Sequence, residues 1–278
     1  MTGKTTDQRW GFLALISSAP PRLGRLGYAV GYTSAYGIFV LCCLAIAAAA
    51  PVAGMIHRDR RRRIIWLRGV ASRVARIYLG YCRLIRMVKV EFIGERKLPP
   101  GLIVANHPSL VDALWLISTQ PNICCVLKGD LERFGLFRYL AAQLDYVSNQ
   151  DPERLLAEGC ERLRQGETLL VFPEATRTPP GELPTFRLGA AELAVRTAVP
   201  VHPVVVHKAG SYLSKARPWY AFPNQPLRWQ IVFTDTLTEV RTDAPRHARR
   251  QLTAGLQKFF HQQITSYQVA QRPPRTET

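Results

Sequence analysis

From residue 90 onward the sequence predicts an α/β fold, a mostly parallel central sheet flanked by helices, with membrane-associated helices ahead of it. Several short runs are apolar on consecutive residues, as expected of strands whose sheet is covered on both faces. Strand-like and helix-like segments alternate, which is the pattern that builds parallel sheets by crossover connections. Ahead of them, residues 26–56 contain no charged side chain, and Arg58, Arg60, Arg61, Arg62 and Arg63 follow at once.

Five segments follow in chain order. Residues 1–25 form an N-terminal flank. Residues 26–56 are apolar, without a break from Ile38 to Ala50, and long enough for a bilayer core of about 20 helical residues. A retained anchor, a cleaved signal ending near Ala47-Ala48-Ala49, and a re-entrant hairpin interrupted by Gly31, Gly37 and Pro51 are the three readings. The arginine block favours the anchor and puts its side of the membrane on the cytoplasmic face. Residues 57–89 then read as a basic amphipathic helix in the membrane interface. Trp66, Val70, Val74, Ile77, Tyr81, Leu84 and Val88 recur at steps of three and four. Arg68, Arg73, Arg76, Arg83, Arg86 and Lys89 are expected opposite them, over anionic lipid.

Residues 90–267 form the α/β body. Strands are predicted at 90–93, 102–105, 123–127, 145–147, 168–172, 201–206 and 229–233. Helices are predicted at 109–118, 131–142, 152–165, 190–197 and 245–267. The last segment, 268–278, carries Pro273 and Pro274 and is expected to fray.

A chain of 278 residues with 47% hydrophobic side chains fills a folded domain and is not disordered as a whole. The 37 Lys and Arg against 20 Asp and Glu leave a net charge of +17, which calls for an anionic partner. No helix-turn-helix, zinc or aromatic-platform pattern accompanies that charge, so nucleic acid is not the expected partner. The six cysteines include no CxxC pair and no Cys/His spacing suited to zinc. They are expected to be reduced and mostly buried, with no metal or cofactor implied.

Two polar clusters end apolar runs, at the strand ends where ligands gather in open α/β sheets. The first is Asn106-His107-Pro108-Ser109-Leu110-Val111-Asp112. Two mid-helix residues five apart would be turned from each other by about 140°. With Pro108 at the first helical position, His107 instead stands just ahead of the helix and folds over its first turn. Asp112 then bonds one ring nitrogen, leaving the other as a general base for a hydroxyl. Ser109 serves the helix start. The second cluster, Phe172-Pro173-Glu174-Ala175-Thr176-Arg177, offers an arginine that can clamp a phosphate or carboxylate in bidentate fashion. A loop ion pair between Glu174 and Arg177 is the plainer alternative.

From Val88 to Phe233 these blocks resemble the lysophospholipid and glycerolphosphate acyltransferase family, whose best-known type is 1-acylglycerol-3-phosphate acyltransferase. The 106–112 block resembles its first motif and the 172–177 block its third. Phe186-Arg187-Leu188-Gly189-Ala190 and Val199-Pro200-Val201-His202-Pro203-Val204 resemble its later motifs in the same order. The resemblance implies that His107 and Asp112 are catalytic. The implied substrate contacts are Glu174, Arg177, Asn106, Ser109, Thr176, Lys128 and Arg187. Acyl-CoA or acyl-carrier protein would be the donor, and a lysophospholipid the acceptor. The setting would be phospholipid biosynthesis at the cytoplasmic membrane, with anionic membrane lipids as partners. There are two departures. Ala175 stands where the third motif has glycine, and Ser148-Asn149 where the second motif ends in arginine, which leaves open a non-phosphate lipid or hydroxylated acceptor, or a catalytically silent membrane-binding module.

Overall fold

The structure, a computed structural model, describes residues 24–210, 212–213, 220, 222–223, 225–237 and 245–270. It opens with two long helices, α1 (Arg25–Ile56) and α2 (Arg60–Leu84). Then come β1 (Val88–Ile93), β2 (Leu102–Ala105), α3 (Asp112–Ile117) and β3 (Ile123–Leu127). A 3₁₀ turn (Gly129–Arg133) leads to α4 (Gly135–Gln143), β4 (Val147–Ser148), α5 (Pro152–Arg164) and β5 (Thr168–Val171). The chain continues through α6 (Gly189–Thr197), β6 (Val201–Ala209), β7 (Leu227–Phe233) and α7 (Pro245–Ala270). The strands form one seven-stranded sheet in the order β1-β7-β6-β2-β5-β3-β4. Every pairing is parallel except β6 with β7. The expected α/β class, with a mostly parallel sheet and an apolar N-terminal helix, is the architecture found.

Central β2 is buried at every residue, which is why its sequence is apolar without alternation. One face of the sheet carries α1, α2 and α3, with Ile103, Ala105, Trp115, Val204, Val206 and Trp229 in their shared core. The other face carries α5, α6 and α7 around Leu102, Val104, Leu193, Val205 and Phe260. Local chemistry starts the helices where the sequence changes period. Asp59 accepts from the Arg62 N–H at 2.7 Å, and Asp151 accepts from the Glu153 and Arg154 N–H groups ahead of Pro152.

Four local expectations need correction. The helix expected over 109–118 begins only at Asp112, because residues 107–111 form a turn tied to the Asp112 side chain; Pro108 is therefore not its first residue. The helix expected over 131–142 is split at Phe134, whose extended backbone (ψ 115°) separates the 3₁₀ turn from α4. Asp145, expected to begin a strand, lies outside β4 with φ +54° and serves as an ion-pair hub for Arg60 and Arg162. α7 runs on to Ala270, past the expected boundary at 267. Residues 1–23 of the N-terminal flank and 271–278 of the tail lie outside the described residues.

The basic helix also presents a different face from the one expected. Its buried side is Leu67, Ala71, Ala75, Tyr78, Leu79 and Cys82. The predicted stripe lies at the margin, with Ile77 67% and Leu84 79% exposed. Arg68, assigned to the lipid-facing arc, is only 1% exposed. Its guanidinium reaches Glu167 at 2.5 Å, the Leu144 carbonyl at 2.8 Å, the Asp145 carbonyl at 3.0 Å and Asn122 Oδ1 at 3.2 Å. A planar five-donor group satisfied this fully is better held inside than in a headgroup layer. Small residues at 69, 71, 72 and 75 let α2 approach closely, whereas the bulky stripe would hold it off.

Breaking that ion pair leaves a buried charge without its counter-ion. Arg68→Met is expected to destabilise the protein by about 3 kcal/mol, and Arg68→Met with Glu167→Met by less. Thermal and denaturant unfolding of the purified chain checks this. Equal losses in the single and double variants would contradict it.

Candidate active site

The site is built on the C-terminal end of β2. After Ala105 the strand runs out, and Asn106 turns its carboxamide back to β6. Its Nδ2 donates to the Val206 carbonyl at 2.8 Å and its Oδ1 accepts from the Val206 N–H at 2.7 Å. Asn106 thus stands in for the ladder that β2 can no longer continue, with its polar atoms committed to backbone. His107 Nδ1 lies 3.1 Å from Asp112 Oδ2. The same carboxylate accepts from the Ser109 N–H at 2.6 Å, the Ser109 hydroxyl at 2.5 Å and the Trp229 indole N–H at 3.1 Å. Asp112 is fully buried while the His107 side chain keeps 20% exposure. With three other donors on it, the carboxylate is placed to accept from His107 Nδ1 as well, a tautomer that leaves Nε2 as the acceptor nitrogen.

The third block grips His107 through its main chain. Glu174 Oε1 accepts from the His107 N–H at 2.9 Å, and the Thr178 N–H donates to the His107 carbonyl at 3.1 Å. The Thr178 hydroxyl donates to Glu174 Oε2. The Phe172 ring stacks on the imidazole at 4.2 Å between centroids. Glu174 is buried and makes no ion pair with Arg177 among the described residues; it anchors the loop after β2 instead. Arg177 is half-buried, and its Nη1 donates to the Leu213 carbonyl at 3.1 Å. That places the guanidinium on the β6–β7 connection, whose Leu213 carbonyl also receives the Leu110 N–H at 3.0 Å.

Beside this pair an apolar cavity of about 390 Å³ lies between the two N-terminal helices and the sheet. Leu110, Val111, Leu213 and Trp229 line it at the turn after β2, and Ile46, Ala71, Leu144 and Tyr146 line it under α1 and α4. Trp229 belongs to both, since its ring is cavity wall and its N–H bonds Asp112.

The family model described as Acyltransferase matches residues 89–207, the stretch that contains this geometry. That stretch of the chain is similar to the acyltransferase family. The chain is 30% identical over 164 residues to the 1-acyl-sn-glycerol-3-phosphate acyltransferase of Pseudomonas aeruginosa, covering 56% of this chain and 63% of that one. It is 28% identical over 163 residues to the alpha form of that enzyme from Mus musculus, covering 55% and 57%. The matched stretch thus spans less than two thirds of either relative. The crystal structure of the 1-acyl-sn-glycerophosphate acyltransferase from Thermotoga maritima superposes with a TM-score of 0.70. It is 19% identical and covers 88% of this chain and 98% of that one, a likeness of fold.

Within the acyltransferase frame, the residues expected at the site fall into two groups. His107, Asp112, Glu174 and Arg177 gather around the end of β2. Asn106 and Ser109, expected to contact substrate, are buried and spent on Val206 and Asp112, because a loop leaving a strand must satisfy its own polar groups. Thr176 and Arg187 are exposed, and among the described residues only the Arg187 N–H is engaged, to the Pro173 carbonyl. Lys128 is exposed and paired with Asp130 at 2.5 Å. Thr178, Trp229 and the stacking role of Phe172 went unread in the sequence. The first two lie outside the motif blocks, and Trp229 is 117 residues from the carboxylate it bonds.

The departures also find physical explanations. Ala175 has φ +56°, a left-handed backbone that favours glycine; the position tests conformation rather than close approach to a ligand. Asn149 Oδ1 accepts from the Gly129 N–H at 3.1 Å, so this side chain braces a turn.

Burial pushes the Glu174 carboxyl above its ordinary range, against the opposing pull of Thr178 and the His107 N–H. A raised folded pKa contributes stability at low pH that is lost as pH rises through it. Between about pH 4 and pH 7 the wild type is expected to lose melting temperature relative to Glu174→Gln. Parallel melting curves across that range would contradict the dominance of burial.

Proposed function

We propose that this chain is a membrane-bound O-acyltransferase that moves a fatty acyl group from a thioester to the free hydroxyl of a lysophospholipid such as 1-acylglycerol-3-phosphate. The observation that carries the reading is the 3.1 Å contact between His107 Nδ1 and Asp112, made at the head of an acyl-sized apolar cavity.

In this reading His107 Nε2 accepts the proton of the acceptor hydroxyl as its oxygen attacks the thioester carbonyl. The C–O bond forms, the tetrahedral intermediate collapses, and the C–S bond breaks. The proton held by His107 passes to the departing thiolate, which leaves as free thiol. Asp112 keeps the ring in the productive tautomer, and Phe172 fixes its plane. The remaining N–H groups of Arg177, which have no other partner among the described residues, suit the acceptor's phosphate. Arg187, Thr176 and Lys128 lie in exposed positions where they can meet the anionic donor, acyl-CoA or acyl-carrier protein. The reaction needs no metal or cofactor.

The donor's chain would enter the cavity from a bilayer. α1 is long and apolar enough to cross a membrane, but one of its faces is packed on the protein from Tyr28 and Tyr32 to Ala50 and Ala53. Leu26, Val30, Leu41, Leu44 and Met55 point outward. This favours α1 lying along the protein in the cytoplasmic leaflet, with Ile77 and Leu84 of α2 beside it. Arg73, Arg76 and Arg83 are exposed along α2, and each cation over anionic lipid contributes on the order of 1 kcal/mol.

The braced Asn149 supports a second acceptor class, a hydroxylated lipid without phosphate, because the cation usual at that position is missing. Lysophosphatidate and a phosphate-free hydroxylated lipid, each given with one labelled thioester in vesicles, separate the two by thiol release. With the preferred acceptor, His107→Ala is expected to slow turnover about 10²- to 10⁴-fold, and turnover equal to wild type would remove the base assignment. Ala75→Phe, which fills the cavity wall, is expected to lower kcat/KM for long-chain donors on the order of tenfold relative to short ones; an unchanged chain-length profile would disconnect the cavity from the acyl group.

A further inference from the structure

Lys208 lies near the end of β6, directly opposite Trp229 of antiparallel β7, so the two side chains share one face of the sheet. Its Nζ donates to the Gly210 carbonyl at 2.6 Å and sits 5.8 Å from the centre of the Trp229 ring. Lys208 makes no ion pair among the described residues. Burial pushes its pKa down to about 8, and only the Asp112 charge pulls it back up. An ammonium kept half-buried without a carboxylate partner costs desolvation, and such groups concentrate where their charge does something.

The charge Lys208 addresses is one indole away. Trp229 donates its N–H to Asp112 Oδ1, and a cation over an indole face strengthens that N–H as a donor. Around this point Asp112 arrives from α3 and His107 from the loop after β2, while the phenols of Tyr32 and Tyr212 share the cavity wall with Trp229. By strand alternation Glu91, His207 and Arg228 lie on the opposite face of the sheet.

We propose that Lys208 is a positioning residue for the catalytic pair: its ammonium, seated on Trp229, acts through the indole N–H to hold Asp112 ionised and His107 unprotonated. The proposal rests on His107 being the general base. Lys208 contacts neither His107 nor Asp112 directly, and it belongs to none of the motif blocks. The sign of its effect follows from charge alone. A nearby ammonium disfavours imidazolium, so removing it lets His107 keep its proton to higher pH, and the base is lost over that interval.

The test titrates His107 directly by NMR in the full chain, labelled at histidine and held in nanodiscs, with His107→Ala identifying the resonance. Lys208→Met is expected to raise the His107 midpoint on the order of one pH unit relative to wild type, and Lys208→Arg to leave it in place. Trp229→Phe is expected to raise it as well, and adding Lys208→Met to Trp229→Phe to raise it by less than Lys208→Met does alone. Coincident midpoints for wild type and Lys208→Met would overturn the proposal. Because this readout needs no substrate, it still tests Lys208 if no acyl transfer is found. Where transfer is measured, the acid limb of kcat/KM is expected to move by the same interval. A higher KM with an unmoved acid limb would instead make Lys208 an acceptor-binding cation and overturn the positioning role.

Discussion

Asp112 carries no solvent exposure, yet its carboxylate meets donors from three directions: the turn that precedes it, the imidazole above it and the indole of β7. A buried charge so fully bonded is costly to move, because any displacement strands several donors at once. The shape of the 107–111 turn, the late start of α3 and the tilt of the His107 ring all follow from keeping it satisfied. The same constraint links the chemistry to the cavity, since Trp229 holds Asp112 with one edge and walls the apolar space with its face.

The two N-terminal helices are part of the folded body. α1 and α2 form one side of the cavity, so removing them would leave Trp115, Trp229 and Leu227 facing solvent rather than a closed apolar space. Arg68 secures this arrangement by bonding the carbonyls of Leu144 and Asp145, which fixes the turn that presents Leu144 and Tyr146 to the cavity. One helix therefore faces both ways. Its small-residue side docks on the body through a buried guanidinium, while Ile77, Leu84 and the outer arginines remain on the surface.

Much of this was legible in the residues themselves. The seven strands lie within a few residues of the segments read from the sequence, most closely where burial is continuous, as in β2 and β5, because continuous burial leaves a continuous apolar signal. The pairing of His107 with Asp112 was also readable, although for a partly mistaken reason. The expected Pro108 helix start is absent, and the contact comes from a turn closed by Asp112 itself. Ala175 shows the same limit from the other side: a missing glycine was visible, but the φ angle that gives it meaning was not.

The amino-acid order by itself determined the class of fold, the sites where strands end in polar groups, and the long uncharged helix, because each depends on residues near one another in the chain. Which way a side chain faces was decided only in three dimensions. Arg68 and Ile77 exchange the roles that periodicity assigned them, since a helix turns its best-fitting side inward even when another side is more apolar. Asn106, Ser109 and Glu174 have the chemistry to bind a ligand, but the assembled protein uses their polar atoms to satisfy its own backbone and the Asp112 carboxylate. Trp229 and Lys208 reached the site from β7 and β6, strands far along the chain from Asp112 that strand order sets beside β2, a proximity carried by no local pattern.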